Sequence, residues 1–105
     1  MAELSMSGAK KTAEKNSAIT QEMVVLNKLG IHARPAAMFV KTANRIGCNV
    51  FVEKDGERIN GKSIMGLMML AAGPGSKIMV IAEGEGAPEA IIELEALVKR
   101  KFDEE

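Results

Sequence analysis

The chain has 105 residues, 47% of them hydrophobic and 27% charged, which suits one globular domain with a modest core. Its 14 basic and 14 acidic residues balance, which argues against nucleic acid or an anionic membrane as the main partner. With no Trp, no Tyr and three Phe the chain offers no platform for base stacking, and no apolar run reaches the length of a membrane span. The single cysteine, Cys48, cannot form an internal disulfide, so we expect a small cytoplasmic domain.

The N-terminal part of the chain is predicted to divide into an extension and the start of the fold. Residues 1–20 are rich in Ser, Lys, Ala and Glu and lack sustained periodicity, so we expect a flexible extension that buries too little surface to order itself. Residues 21–105 are expected to form the folded domain. The apolar segment Met23 to Leu26 is predicted to be the first strand, and Asn27 to Gly30 the turn that follows it.

The only histidine of the chain stands where the strand pattern gives way to a helical one, in the segment Gly30-Ile31-His32-Ala33-Arg34-Pro35. From Ala33 to about Arg45 the apolar residues recur at spacings of three and four, which predicts an amphipathic helix. Gly47 suits the end of that helix. Because proline is favoured in the first helical turn, we expect His32 at the helix N-terminus.

A hairpin and a second, shorter helix are predicted next. Asn49 to Glu53 alternates in the manner of a strand, Asp55-Gly56 is a strong hairpin signal, and Arg58 to Asn60 is the return strand. Ser63 is expected to open a helix that runs to about Leu70, before the break at Gly73-Pro74-Gly75.

The C-terminal third is predicted to form one more strand and one more helix. The strand covers Lys77 to Ala82, and the helix starts at Pro88 with acidic residues early and basic residues late, in the order that the helix dipole favours. The element order β-α-β-β-α-β-α predicts an α+β domain whose helices cover one face of a mainly antiparallel sheet. Met79 and Ile81 alternate with the inward residues, so we expect them to meet solvent on the other face.

His32 is the candidate reactive residue. The start of a helix carries unpaired N–H groups and the positive end of the dipole, which together favour an anion, and neutral imidazole is a nucleophile near neutral pH. Arg34 offers a planar fork that matches phosphate oxygens, and the backbone N–H groups of Ala33 and Arg34 are expected to cradle the same anion. These residues favour a phosphoryl acceptor, with a helix-capping or ordinary surface histidine as the alternative. No metal site is expected, because there is no second histidine and Cys48 is not at ligand spacing.

The position of Ser63 in the sequence allows two interpretations. As an N-cap it would bond to the free N–H groups of its helix, and this plain structural role is the one that the residues favour. A phosphate on Ser63 would also be well placed, at a helix N-terminus next to Lys62.

The second helix is expected to carry an apolar surface. Leu67 and Leu70 are predicted to face the core, whereas three other apolar residues fall on different faces and are predicted to be exposed: Ile64, Met65 and Met68. Flexible Met side chains suit a surface that must fit several partners, so these residues are candidates for docking. The alternative is that all of them pack inside the protein.

Two segments of the chain resemble the motifs of the HPr family, the small histidine-containing phosphocarriers of the bacterial phosphoenolpyruvate:sugar phosphotransferase system. Gly30 to Ala36 is similar to the phosphohistidine motif of that family, and Lys62 to Leu70 to its second motif, in the version with a regulatory serine. The similarity extends from about Met23 to Phe102. It implies an open-faced β-sandwich, with a four-stranded antiparallel sheet in the order 1-4-2-3 covered on one face by three helices.

The same resemblance implies a function. His32 would accept a phosphoryl group on Nδ1 from phospho-enzyme I and, assisted by Arg34, pass it to EIIA-type proteins. Ser63 would be the target of an HPr kinase/phosphorylase, and the docking residues would be Ile64, Met65 and Met68. The chain would be a carried substrate and not an enzyme, and would need no cofactor. The alternative is a regulatory binding module that acts with a kinase/phosphorylase or transcription regulators, without sugar transport.

Overall fold

The computed structural model describes residues 18–104, in which three helices cover one face of a four-stranded antiparallel sheet. The elements are β1 (Ala18–Val24), α1 (Ala33–Asn44), β2 (Asn49–Lys54), β3 (Glu57–Asn60), α2 (Ile64–Met69), β4 (Lys77–Glu83), α3 (Ala87–Lys99) and a short 3-10 turn (Lys101–Asp103). The strand order is β1-β4-β2-β3, so the α+β architecture and the order 1-4-2-3 are confirmed. No helix between residues 18 and 104 is long and apolar enough to cross a membrane.

The sheet buries the face that alternation predicts. β4 lies between β1 and β2 and pairs with both in antiparallel register, with Val80 opposite Val52 and Ala82 opposite Val50. These four side chains are at most 1% exposed, as is Ile78. Alternation with a period of two therefore fixes which side of the sheet meets the helices.

The first strand begins earlier than the sequence predicts. It covers Ala18–Val24 instead of Met23 to Leu26, and Ala18, Ile19 and Thr20 pair with β4. The polar residues on its outer face, such as Thr20 and Glu22, obscure a strand whose inner face carries Ile19 and Met23. The sequence predicts these three residues to be part of the flexible extension, whereas they pair in the sheet. The rest of that predicted extension, residues 1–17, lies outside the described residues.

The prediction that Met79 and Ile81 meet solvent is wrong for Ile81. Ile81 is only 4% exposed, and Met79 is partly buried. The residues directly opposite Ile81 on the neighbouring strands are Thr20 and Phe51, and directly opposed residues share a face of the sheet. Neighbours on the open face therefore cover Ile81.

The helices bury the faces that their periodicity predicts. In α1 the buried apolar residues include Ala36, Phe39 and Ala43. The buried residues of α3 recur at spacings of three and four along the helix: Ala87, Ala90, Ile91, Leu94, Leu97 and Val98. α3 packs on β1 and β4, and α1 packs on both α2 and α3.

Candidate functional site

His32 is the N-cap residue of α1, as predicted. Its backbone is extended, with φ −93° and ψ −168°, and its carbonyl accepts the first helical hydrogen bond from Ala36 N at 3.0 Å. The side chain makes no capping hydrogen bond and is 37% exposed. A capping role for the ring, which the sequence left open, is therefore excluded, and the imidazole is accessible at the start of its helix.

The first turn of α1 leaves amide groups free for an anion. Among the hydrogen bonds between residues 18 and 104, none engages the backbone N–H of Ala33 or Arg34, and Pro35 has no N–H. Unpaired N–H groups at a helix start favour a bound anion. The exposed Arg34 side chain borders an open groove of about 560 Å³, whose other lining residues are Lys28, Leu29, Asp103 and Glu104. Two cationic and two acidic side chains thus line this groove, and one of the acidic ones, Glu104, contacts His32.

The turn before His32 is held by a close approach of two backbone segments. Gly30 has φ +69°, and a Cβ at this position would lie 2.3 Å from the carbonyl oxygen of Ala72. The next residue, Ile31, donates its N–H to the same oxygen at 2.9 Å. Only glycine fits this position without strain. Because Ala72 follows shortly after α2, this contact sets the position of His32 relative to α2.

Glu104 and Asn27 belong to the site, although the sequence did not reveal them. Nε2 of His32 lies 2.8 Å from Oε2 of Glu104, and Nδ2 of Asn27 donates to Oε1 of the same carboxylate at 2.8 Å. The Asn27 side chain is completely buried, and the Glu104 side chain is 17% exposed. The hydrogen bond from Asn27, followed by the hydrogen bond and charge of His32 and the charge of Arg34, holds the pKa of Glu104 below its ordinary value despite partial desolvation.

The signals for these two residues were indirect. Asn27 was correctly placed in a turn, but turn asparagines are usually exposed, and nothing in the sequence predicts its burial. Phe102, the one aromatic residue in a charged C-terminal segment, could have indicated that the chain returns to the core there, since it is completely buried. Its burial brings Glu104 back to His32.

Ser63 is the N-cap of α2, and the predicted capping role is confirmed. Its Oγ accepts a hydrogen bond from the N–H of Gly66 at 2.9 Å, and its backbone is extended with φ −114° and ψ 114°. The side chain is only partly buried. The hydroxyl is therefore bound to the helix start and partly accessible to solvent.

The surface of α2 is apolar and exposed, as predicted. Leu67 and Leu70 lie in the core. Four side chains form what we call the apolar patch, with exposed fractions of 43% for Ile64, 70% for Met65, 43% for Met68 and 70% for Met69. The alternative in which every apolar residue of this helix packs inside is thereby excluded.

No cluster of three or more His, Cys, Asp or Glu side chains within residues 18–104 is arranged to hold a metal ion. The ionisable groups that line the groove are two cations, Lys28 and Arg34, and two carboxylates, Asp103 and Glu104. Asp103 pairs with Arg100, and Glu104 is bound by Asn27 and His32. The groups left to hold an anion at the imidazole are therefore the free N–H groups of α1 and the Arg34 side chain.

Known proteins match this chain in sequence and in structure over most of its length. A family model described as "PTS HPr component phosphorylation site" matches residues 19–100. The HPr-like protein Crh of Bacillus subtilis is 48% identical over 83 residues, covering 79% of this chain and 98% of the relative. A phosphocarrier protein HPr of Pseudomonas aeruginosa is 48% identical over 84 residues, covering 79% of this chain and 93% of the relative. The crystal structure of HPr-C-His from Thermoanaerobacter tengcongensis superposes with a TM-score of 0.80 at 44% identity, covering 83% of this chain and 98% of the other. This chain belongs to the HPr family of the phosphotransferase system.

Proposed function

We propose that this protein is a phosphocarrier that accepts a phosphoryl group on His32 from phospho-enzyme I and passes it to EIIA-type proteins. The observation that carries the proposal is the position of the imidazole, which is accessible at the N-terminus of α1 beside the free N–H groups of Ala33 and Arg34. Membership of the HPr family supports the same role.

The arrangement suits phosphoryl transfer by positioning and charge. In the loose transition state of such a transfer, negative charge is spread over the three equatorial oxygens of the phosphoryl group. The N–H groups of Ala33 and Arg34 and the Arg34 guanidinium would stabilise that charge without reorganising. The protein would hold the group and would not turn over a substrate of its own, so we infer a carrier that other enzymes use. A free, buried Cys48 accords with work in the reducing cytoplasm.

Ser63 is proposed as a regulatory phosphorylation site of an HPr kinase/phosphorylase. A phosphate there would carry a charge of about −1.5 to −2 next to the apolar patch. Met65, Met68 and Ile64 are proposed to dock enzyme I and EIIA-type proteins, because an exposed apolar surface connected to His32 through the Ala72 contact can bind partners during transfer. Phosphorylated Ser63 would weaken that docking by desolvation and charge.

A purely regulatory module is the second candidate, favoured by the 48% identity to the HPr-like protein Crh. In this role the protein would bind a kinase/phosphorylase or transcription regulators without carrying phosphoryl groups to sugar permeases. The accessible His32 next to Arg34 favours the carrier, since regulation through Ser63 alone does not require this pair.

The test is intact-mass spectrometry after incubation with phosphoenolpyruvate and enzyme I. We expect the wild-type protein to gain one phosphoryl group that is lost in acid, and His32→Ala to gain none. Ser63→Ala is the matched control and is expected to be labelled like the wild type by enzyme I, but not by the kinase with ATP. Undiminished acid-labile phosphate on His32→Ala, or none on the wild type, would refute the carrier.

A further inference from the structure

The C-terminal segment makes an unusual turn that delivers a carboxylate to the reactive ring. Lys101, Phe102 and Asp103 all have left-handed backbones, with φ values of 59°, 55° and 60°. Such conformations are unfavourable for L-residues and persist only where other contacts hold them. Here the completely buried Phe102 side chain anchors the turn, and Glu104 follows it directly. The strained turn therefore brings the Glu104 carboxylate to the His32 ring.

The Asn27 side chain holds the Glu104 carboxylate in place. Its Nδ2 donates both to the carbonyl oxygen of Gly30 at 2.7 Å and to Oε1 of Glu104 at 2.8 Å, whereas its buried Oδ1 has no partner among residues 18–104. The amide cannot be reversed, because its oxygen would then face a carbonyl and a carboxylate, both of which only accept. Burying an amide with one unsatisfied atom costs free energy, so packing alone does not explain a buried asparagine here. The hydrogen bond to Glu104 gives the side chain a second role.

This contact determines which ring nitrogen of His32 carries the proton. An ionised carboxylate only accepts hydrogen bonds, and the lowered pKa of Glu104 keeps it ionised at neutral pH. Nε2 of His32, at 2.8 Å from Oε2, must then be the N–H donor. In the neutral ring this leaves the lone pair on Nδ1, for which no hydrogen bond exists within the described part of the chain.

We propose that Glu104, held by Asn27, is a positioning residue that keeps His32 in the Nε2–H tautomer and presents Nδ1 to the phosphoryl donor. The inference rests on the proposed phosphocarrier function. In the transfer the Nδ1 lone pair forms the new N–P bond, and the N–P bond of the donor phosphohistidine breaks with its electron pair going to the donor ring. The Nε2 proton stays in place, so the His32 ring becomes cationic, and the Glu104 carboxylate stabilises that charge, as the aspartate of a serine-protease triad does for its imidazolium.

Two substitutions of Glu104 are expected to affect phosphoryl transfer in an unusual order. In Glu104→Gln, Asn27 would still donate to the side-chain oxygen, which turns the new NH₂ group toward Nε2 and favours the opposite, Nδ1–H tautomer. Glu104→Ala removes the contact without imposing the wrong tautomer. We therefore expect Gln to be more harmful than Ala, although Gln is the closer match in shape. The same exchange in a serine-protease triad lowers the rate about 10⁴-fold through the wrong tautomer.

The experiment measures the tautomer and the transfer rate separately. Two-bond ¹H–¹⁵N correlation spectra of the unphosphorylated protein above pH 7 report which nitrogen of His32 bears the proton. Stopped-flow transfer from phospho-enzyme I reports kcat/KM. The matched control is Glu95→Gln, which removes one carboxylate from the ion pair with Lys99 on the surface of α3 and changes the net charge equally.

We expect the Nε2–H tautomer in the wild type and in Glu95→Gln, and Nδ1–H in Glu104→Gln. Transfer should fall at least about 100-fold in Glu104→Gln and about 10-fold in Glu104→Ala, by analogy with the loss of about 10- to 100-fold when the hydrogen-bond partner of a metal-binding histidine is removed. An unchanged tautomer in Glu104→Gln, or a Gln variant that transfers as fast as Ala, would overturn the inference while leaving the carrier function standing. A wild-type protein that accepts no phosphoryl group would instead overturn the proposed function.

Discussion

Replacing Gly30 by alanine is expected to disturb the turn that positions His32. Gly30 has φ +69°, and the added Cβ would lie 2.3 Å from the carbonyl oxygen of Ala72. A left-handed backbone costs an L-residue about 1–2 kcal/mol. The Ala72 segment would have to move away, which breaks the 2.9 Å hydrogen bond from Ile31 and removes about 1 kcal/mol more. The free energy of unfolding should therefore fall by about 2–3 kcal/mol.

Urea unfolding followed by circular dichroism measures this loss, and a thermal scan should show Tm lowered by roughly 10–20 °C for a domain of this size. Gly47→Ala is the matched control, because a Cβ there meets nothing within 4 Å and the backbone is not left-handed. We expect it to leave stability unchanged or to raise it by about 0.4–1 kcal/mol. If Gly30→Ala and Gly47→Ala unfolded within about 0.5 kcal/mol of each other, the reasoning about the Ala72 contact would be refuted.

Three further changes test other parts of the structure. Phe102→Ala should lower the free energy of unfolding by about 3–5 kcal/mol, because the ring is completely buried, and should also release Glu104, seen as altered His32 ring resonances; a loss below 1 kcal/mol would contradict its role as anchor. Ser63→Ala should cost about 1 kcal/mol in urea unfolding through loss of the bond to the α2 N–H, whereas Ser63→Thr should keep most of it. The pKa of Glu104 is lower in the folded protein than its ordinary value of 4.5, so its contribution to stability is fully present above about pH 4.5 and is lost as the pH falls through the folded value. The stability difference between wild type and Glu104→Gln should accordingly shrink on acidification, and a difference that grows toward low pH would contradict this assignment.

The sequence predicts the fold well because its signals are local and periodic. Alternation along β2 and β4, the Asp55-Gly56 turn and the spacing of apolar residues in α1 each predict one element, and the expected face of each is buried, although in β4 Ile81 on the opposite face is buried too. The start of β1 was missed because its outer face is polar, and the cover over Ile81 was missed because it depends on which residues lie opposite in neighbouring strands.

The residues of the candidate site also differ in how far the sequence predicts them. The position of His32 follows from a local pattern, a proline in the first turn of a helix that begins after a strand and a turn. Glu104 lies 72 residues away in the chain, and its contact depends on the left-handed turn and the burial of Phe102. No short motif encodes such a long-range contact, so only the three-dimensional structure reveals that a carboxylate and a buried amide support the histidine.

The central claim is that Nδ1 of His32 receives the phosphoryl group while Nε2 keeps its proton. ³¹P and ¹⁵N NMR of the protein phosphorylated by phosphoenolpyruvate and enzyme I tests this claim most directly. We predict phosphorus–nitrogen coupling to Nδ1 of His32 and a proton on Nε2. Coupling to Nε2, or phosphorus bound to a residue other than His32, would contradict the account.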